Sequence, residues 1–285
     1  MISLTPAELG AAIGLGVAGN FAGHLEQAGE ASDFAGVEAA DGAPKGVFPW
    51  YVRGGELGVN PVSATHIRLP DDPAAACQIE PELALWSEVR YEGEAVAAVE
   101  PTHFGAFNDC SWRARPAASP SGPVKISHKK HWGPASQGLA ADQLLPLDRF
   151  AAGGTLDRFR LASFLVRDGV THAYGEDAPV AGYGYFHGRL LGWLVEKLNT
   201  QRDAGPLEDA SALLAAAGRP GRAVIAIGAT RYLPFGETTF LREGDEAVVV
   251  AYDGGVHTPA AVAEAVASGA VRLETASLLR QRVIR

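Results

Sequence analysis

The stretch Gln78-Ile79-Glu80-Pro81-Glu82-Leu83-Ala84-Leu85 alternates acidic and apolar side chains around a proline. In a strand, residues two apart point to the same side. Glu80 and Glu82 therefore share one face, and Ile79, Leu83 and Leu85 share the other. Two carboxylates about 7 Å apart along a strand repel each other when buried. A hard divalent cation that prefers oxygen ligands removes that conflict. A solvated strand face produces the same pattern, so this segment alone leaves both readings open. Pro81 cannot donate to a ladder, which predicts an edge or irregular position for the strand. A third acid, Asp109, stands in Phe104-Gly105-Ala106-Phe107-Asn108-Asp109-Cys110-Ser111. At the end of an apolar run it is either a turn former or a ligand.

Outward from this stretch, residues 77 to 100 read as two strands. Thr5-Pro6-Ala7-Glu8 has the cap, proline and glutamate spacing of a helix start, and residues 21 to 30 read as a second short helix. Residues 42 to 73 read as loops and short edge strands, and residues 112 to 124 as a loop rich in Pro, Ser, Ala and Gly. Residues 160 to 174 form a predicted hairpin turning at Asp168-Gly169. Helices are predicted over residues 186 to 199 and 207 to 217, and another begins near Thr258-Pro259. Further strands are expected over residues 224 to 227 and 247 to 252. Strands and helices mix without a regular βαβ alternation, which predicts a β-rich mixed α+β fold.

The chain has 285 residues, 47% hydrophobic and 20% charged, an ordinary globular balance. Its formal charge of −9 disfavours a nucleic-acid surface. No apolar run approaches the roughly 20 residues that cross a bilayer, and the N-terminus lacks the basic region of a signal peptide. Cys77 and Cys110 form no CxxC or Cys/His pattern, which points to a reducing, cytoplasmic setting.

Several segments together resemble the fumarylacetoacetate hydrolase superfamily. Gly16-Val17-Ala18-Gly19-Asn20-Phe21-Ala22-Gly23-His24 is similar to the opening "GxNYxxH" segment of that family. Val47-Phe48-Pro49-Trp50-Tyr51 and Asn60-Pro61-Val62-Ser63 resemble its proline-rich stretch. Glu80-Pro81-Glu82-Leu83-Ala84 matches "ExELA", and Asn108-Asp109-Cys110-Ser111-Trp112-Arg113 matches "NDxSxR". Lys130-His131-Trp132 matches a lysine two residues before an aromatic. Gly228-Ala229-Thr230 and Phe240-Leu241-Arg242-Glu243-Gly244-Asp245 resemble the final strand and turn. These pieces follow the family's order over residues 14 to 252.

The resemblance implies a mixed β-sandwich roll with peripheral short helices, built as one domain. Residues 1 to 72 would be a lid or edge segment, 73 to 253 the core, and 254 to 285 a C-terminal extension. It implies a homodimer, and Mg²⁺ or Mn²⁺ held by Glu80, Glu82 and Asp109. Lys130, with Lys129 as the alternative, would face the substrate's developing negative charge, and His24 would be the catalytic base. Thr230 would help hold a substrate carboxylate, with Arg113 taken beside it. Arg231 is either a bidentate carboxylate ligand or a strand-end charge. The substrate class implied is a small 2-oxo or 1,3-dicarbonyl acid, cleaved at a C–C bond. A non-catalytic, metal-dependent binder of small acids is the alternative on the same fold.

The chain departs from the family pattern in places. The hydrolytic members carry a glutamate three residues after the histidine; here that position is Gln27, which can orient an imidazole but supplies no charge. Glu26 and Glu30 are poorly spaced for the role on an ideal helix. Ala114 stands where an acid usually follows the arginine, and Ala229-Thr230-Arg231 stands in place of the usual glycine-threonine-proline.

Overall fold

Thr5 caps the first helix as its spacing predicts. Its side chain accepts from the Glu8 amide, and Glu8 reaches back to the Thr5 amide, closing a capping box. The computed structural model describes residues 1–113, 115 and 124–285. The loop expected over residues 112 to 124 lies mostly outside them. The helices are α1 (Pro6–Ala11), α2 (His24–Gln27), α3 (Ile126–Lys130), α4 (His187–Thr200), α5 (Ala210–Ala216), α6 (Pro234–Thr238) and α7 (Pro259–Ala267).

The strands begin with β1 (Ile13–Ala18), β2 (Gly46–Tyr51), β3 (Val62–Ser63), β4 (His66–Arg68), β5 (Ala76–Gln78) and β6 (Pro81–Glu92). They continue with β7 (Ala95–Asn108), β8 (Ser111–Arg113), β9 (Gln137–Leu139), β10 (Leu145–Pro146) and β11 (Phe159–Arg167). The last are β12 (Val170–Ala173), β13 (Ala178–Pro179), β14 (Arg222–Ala226), β15 (Glu246–Asp253) and β16 (Ala276–Ile284). A larger mixed sheet has the order β2-β1-β14-β6-β7-β9-β3, with β10 on β7. A smaller sheet has the order β12-β11-β15-β16-β4, with β13 on β11, and β5 pairs β8 separately. The expected β-rich roll with short helices is the observed architecture.

The core lies between the two sheets. Leu83, Leu85 and Phe104 from the larger share one buried cluster with Leu161, Val249 and Leu279 from the smaller. Each such side chain contributes roughly 1.5–3 kcal/mol on burial. The other face of the larger sheet is also covered: Ala84, Trp86 and Phe107 pack with Trp50, Ile126 and Leu207. The smaller sheet is backed by Val262 and Val266 of α7. Residues 254 to 285 thus supply both α7 and β16, which lies inside the smaller sheet.

Three local expectations change. The strand of Glu82 is central rather than an edge, between β14 and β7. Pro81 is tolerated because it is the first residue of that strand, where no ladder donor is needed. Residues 77 to 100 span three strands, because the chain breaks at Ile79-Glu80 between β5 and β6. The helix expected over residues 21 to 30 shrinks to α2. Gly23 (φ 79°) and Gly29 (φ 69°) take left-handed backbone on either side of it, which ends a right-handed helix. The hairpin forms as expected, with Asp168 (φ 53°) and Gly169 (φ 78°) supplying its turn.

Candidate metal centre

The break between β5 and β6 builds the acidic site. The Glu80 amide donates to the Asn108 side chain (3.1 Å), and the Asp109 amide donates to the Glu80 carbonyl (2.9 Å). The entry to β6 is thereby tied to the exit of β7. Carboxylate oxygens of Glu80, Glu82 and Asp109 lie within 4.8 Å of one another. All three residues are buried, at 4%, 2% and 0% exposure, so the solvated-face reading of the strand does not hold. They line a chamber of about 20 Å³ together with His24, Phe48 and Lys130, room for one water-sized or ion-sized guest.

The three acids are held in different states. Burial by itself would raise Glu80. Arg113 and Lys130, each bonded to one of its oxygens, outweigh that and hold it down to about 2. Glu82 is held well above the usual carboxylate range, first by burial and then by the charge of Asp109. Its Oε2 accepts the Gly228 amide at 2.7 Å. Asp109 is pushed up to about 6, chiefly by burial. Lys130 Nζ lies 2.8 Å from Asp109 Oδ2, yet neither Asp109 carboxylate oxygen takes part in a well-directed hydrogen bond. The Lys130 ammonium is instead aimed at Glu80 and at the Asp109 carbonyl oxygen (3.0 Å).

Three buried carboxylates with Lys130 and Arg113 as the cations bonded to them are costly to hold together as anions. A divalent cation would give them a partner, and an all-oxygen donor set suits Mg²⁺ or Mn²⁺. The residues present therefore fit such an ion.

His24, on α2, has its Nε2 3.9 Å from Glu80 Oε2, while its Nδ1 has no partner among the described residues. Burial lowers its pKa, with Glu80 opposing, which favours the neutral ring. Gln27 does not contact that ring. Its amide brackets the Tyr232 main chain, accepting from N (2.9 Å) and donating to O (3.2 Å).

The remaining candidates are spread out. Arg113 is buried, and every nitrogen of its guanidinium has a protein acceptor: Gln78 (2.8 Å), Glu30 (2.7 Å), Tyr232 (2.8 Å) and Glu80. Lys129 turns away from the acids to Asp33 (2.6 Å) and Glu30 (3.4 Å). Thr230 is buried, its hydroxyl without a partner among the described residues and its amide on the Pro81 carbonyl (3.2 Å). Of its segment, Ala229 lines the chamber. Arg231 pairs with Glu176 (2.7 Å) at the surface. The chain thus brings Glu80, Glu82, Asp109, Lys130 and His24 together and leaves Arg231 outside. Glu30, judged badly spaced on an ideal helix, is buried at the chamber wall. Only the break at Gly29 hinted that helical spacing does not apply there.

A family model described as "Family of unknown function (DUF5718)" matches residues 30–283. No curated protein matches the sequence. Among solved structures, Cg1458 crystallised with an inhibitor superposes with a TM-score of 0.53 at 16% identity, covering 96% of this chain and 77% of that one. The 5-carboxymethyl-2-hydroxymuconate delta-isomerase of Mycobacterium smegmatis gives 0.50 at 14% identity, over 96% of this chain and 79% of that one. The 2-hydroxyhepta-2,4-diene-1,7-dioate isomerase of Mycobacterium marinum gives 0.50 at 12%, over 96% and 75%. These are fumarylacetoacetate hydrolase-fold proteins, and at such identity the likeness establishes the fold.

Proposed function

Because the chain belongs to the family of unknown function DUF5718, on a fold it shares with the isomerases above, we propose that it is a divalent-metal-dependent enzyme acting on a small 2-oxo or 1,3-dicarbonyl acid. The reaction proposed is C–C bond cleavage, by hydrolysis or as a lyase. The observation that carries this reading is the set of three buried carboxylates around a chamber of about 20 Å³, with Lys130 Nζ 2.8 Å from Asp109 Oδ2 as the cation beside them.

Glu80, Glu82 and Asp109 would hold Mg²⁺ or Mn²⁺. When bound, the ion supplies Lewis-acid polarisation of the keto oxygen and stabilises enolate charge. Lys130 contributes a fixed positive charge in the same low-dielectric space, already oriented before substrate arrives. Burial lowers the His24 pKa and favours the neutral ring, the state a base requires, and its Nδ1 has no partner among the described residues. In a hydrolase it would take the proton of the attacking water at that atom. In a decarboxylase or isomerase, Lys130 and the metal charge would suffice.

The alternative, a binder without turnover, draws support from Gln27, which leaves His24 without a carboxylate partner of its own.

Calorimetric titration of Mn²⁺ into metal-stripped protein tests the reading, alongside Glu82→Ala and Asp109→Ala. One ion per chain, lost in both variants, followed by turnover of oxaloacetate or an acylpyruvate, is expected. Absence of Mn²⁺ binding to the wild type would remove its basis. Binding without turnover of any such acid would favour the alternative.

A further inference from the structure

A pyruvate-sized acid has about six non-hydrogen atoms, and on the measure by which one water needs about 10–15 Å³ the chamber of about 20 Å³ holds roughly one water and not an acid of that size. A cavity of about 470 Å³ lies directly outside it. Among the described residues, Glu30 lines both spaces, so its side chain is part of the wall between them.

Glu30 is held there by two cations that also line the outer cavity. Its Oε1 accepts from Arg113 Nη1 at 2.7 Å and lies 3.4 Å from Lys129 Nζ. The other Arg113 nitrogens are committed to Gln78, Glu80 and Tyr232. Nη1 is thus the donor whose acceptor can be exchanged without dismantling the acidic site. A carboxylate bridging a guanidinium and an ammonium is the chemistry by which the end of a small acid would be recognised.

We infer that Glu30 is an internal occupant of a carboxylate subsite formed by Arg113 Nη1 and Lys129 Nζ, which a small di- or keto-acid claims by displacing it. The exchange leaves both cations paired, so it avoids the cost of stranding a buried charge. Gly29 precedes Glu30 in left-handed backbone (φ 69°), a conformation glycine adopts without steric cost. With Glu30 moved, chamber and cavity become continuous. This deepens the proposed function by naming what holds the acid's carboxylate, and it rests on that reading only for the class of ligand.

The test uses malonate as the probe and full-length protein kept free of metal, so its outcome is independent of whether Mn²⁺ binds. Glu30→Gln keeps the shape but removes the competing charge. An internal competitor that holds the cations nine-tenths of the time weakens an external one about tenfold. Calorimetry is expected to show malonate binding at least that much tighter in Glu30→Gln than in wild type, with the gain abolished in Glu30→Gln/Lys129→Met. Equal affinity in wild type and Glu30→Gln, or a gain that survives Lys129→Met, overturns the inference. If circular dichroism shows Glu30→Gln unfolded, Lys129→Met alone decides. Weaker malonate binding than wild type supports the subsite, and unchanged or absent binding in both proteins overturns it.

Discussion

Glu208 offers a direct test of how the lysine-bearing helix is anchored. Its carboxylate accepts the hydroxyl of Ser127, on α3, and its other oxygen is buried without a partner. Burial is the main reason its pKa rises from 4.5 to about 7. The sign follows from proton counting. Between pH 4.5 and 7 the folded chain keeps a proton that the unfolded chain has released, so stability falls as pH rises through that window. At 1.36 kcal/mol per pKa unit, a rise from 4.5 to about 7 makes the loss on the order of 3 kcal/mol. Glu208→Gln removes the ionisation and keeps an oxygen to accept from Ser127. The variant should match wild type near pH 4.5 and exceed it at pH 8 by about 2–3 kcal/mol, roughly 4–8 °C in Tm for a chain of this size. Urea unfolding of both proteins across that range measures the difference. A difference independent of pH, or a variant less stable than wild type at pH 8, would refute the argument.

Other consequences concern the acidic site. Because Glu82 and Asp109 are both held toward their protonated forms and a metal takes carboxylates as anions, Mn²⁺ should bind more weakly as pH falls through 6. Titrations in buffers of different ionisation enthalpy should count released protons, and none released would contradict it. Lys130→Met leaves Glu80 and Asp109 short of a buried counter-charge, with an expected loss of about 3–5 kcal/mol in metal-free protein. Added Mn²⁺ should recover part of that loss, as thermal unfolding with and without the ion would reveal. Gln27→Glu should fail to create a histidine-carboxylate pair, because the side chain is spent on Tyr232. Losing the donor to the Tyr232 carbonyl should cost about 1–3 kcal/mol, and the His24 titration followed by NMR should not move upward. An upward shift would show that the segment re-forms around the new charge.

Much of the architecture was legible in the sequence because it rests on local rules. Thr5-Pro6-Ala7-Glu8 is a complete capping box within one turn. Asp168-Gly169 specifies its hairpin because both positions adopt positive φ. Alternation around Glu80 and Glu82 placed both acids on one side of a chain that also buries Ile79, Leu83 and Leu85. The ordered motifs supplied Asp109 and Lys130 as companions from distant segments.

Other features depended on what the chain meets in three dimensions. Whether Glu80 and Glu82 faced water or a closed chamber was undecidable from alternation, since burial is set by the elements that cover the strand. Pro81 looked like an edge residue until β14 and β7 flanked it and the strand began at the proline itself. Arg113 and Arg231 are the same residue type near similar motifs. One is enclosed by Glu30, Glu80, Gln78 and Tyr232, and the other meets Glu176 at the surface. Helical spacing from His24 argues against Glu30, but spacing along a helix has no force once Gly29 ends it. The side chains available for hard-cation and carboxylate chemistry follow from composition and local periodicity, which neighbours in the chain carry. Which charges neutralise which follows from the folded arrangement, because ion pairing depends on distance and desolvation between segments far apart in the chain.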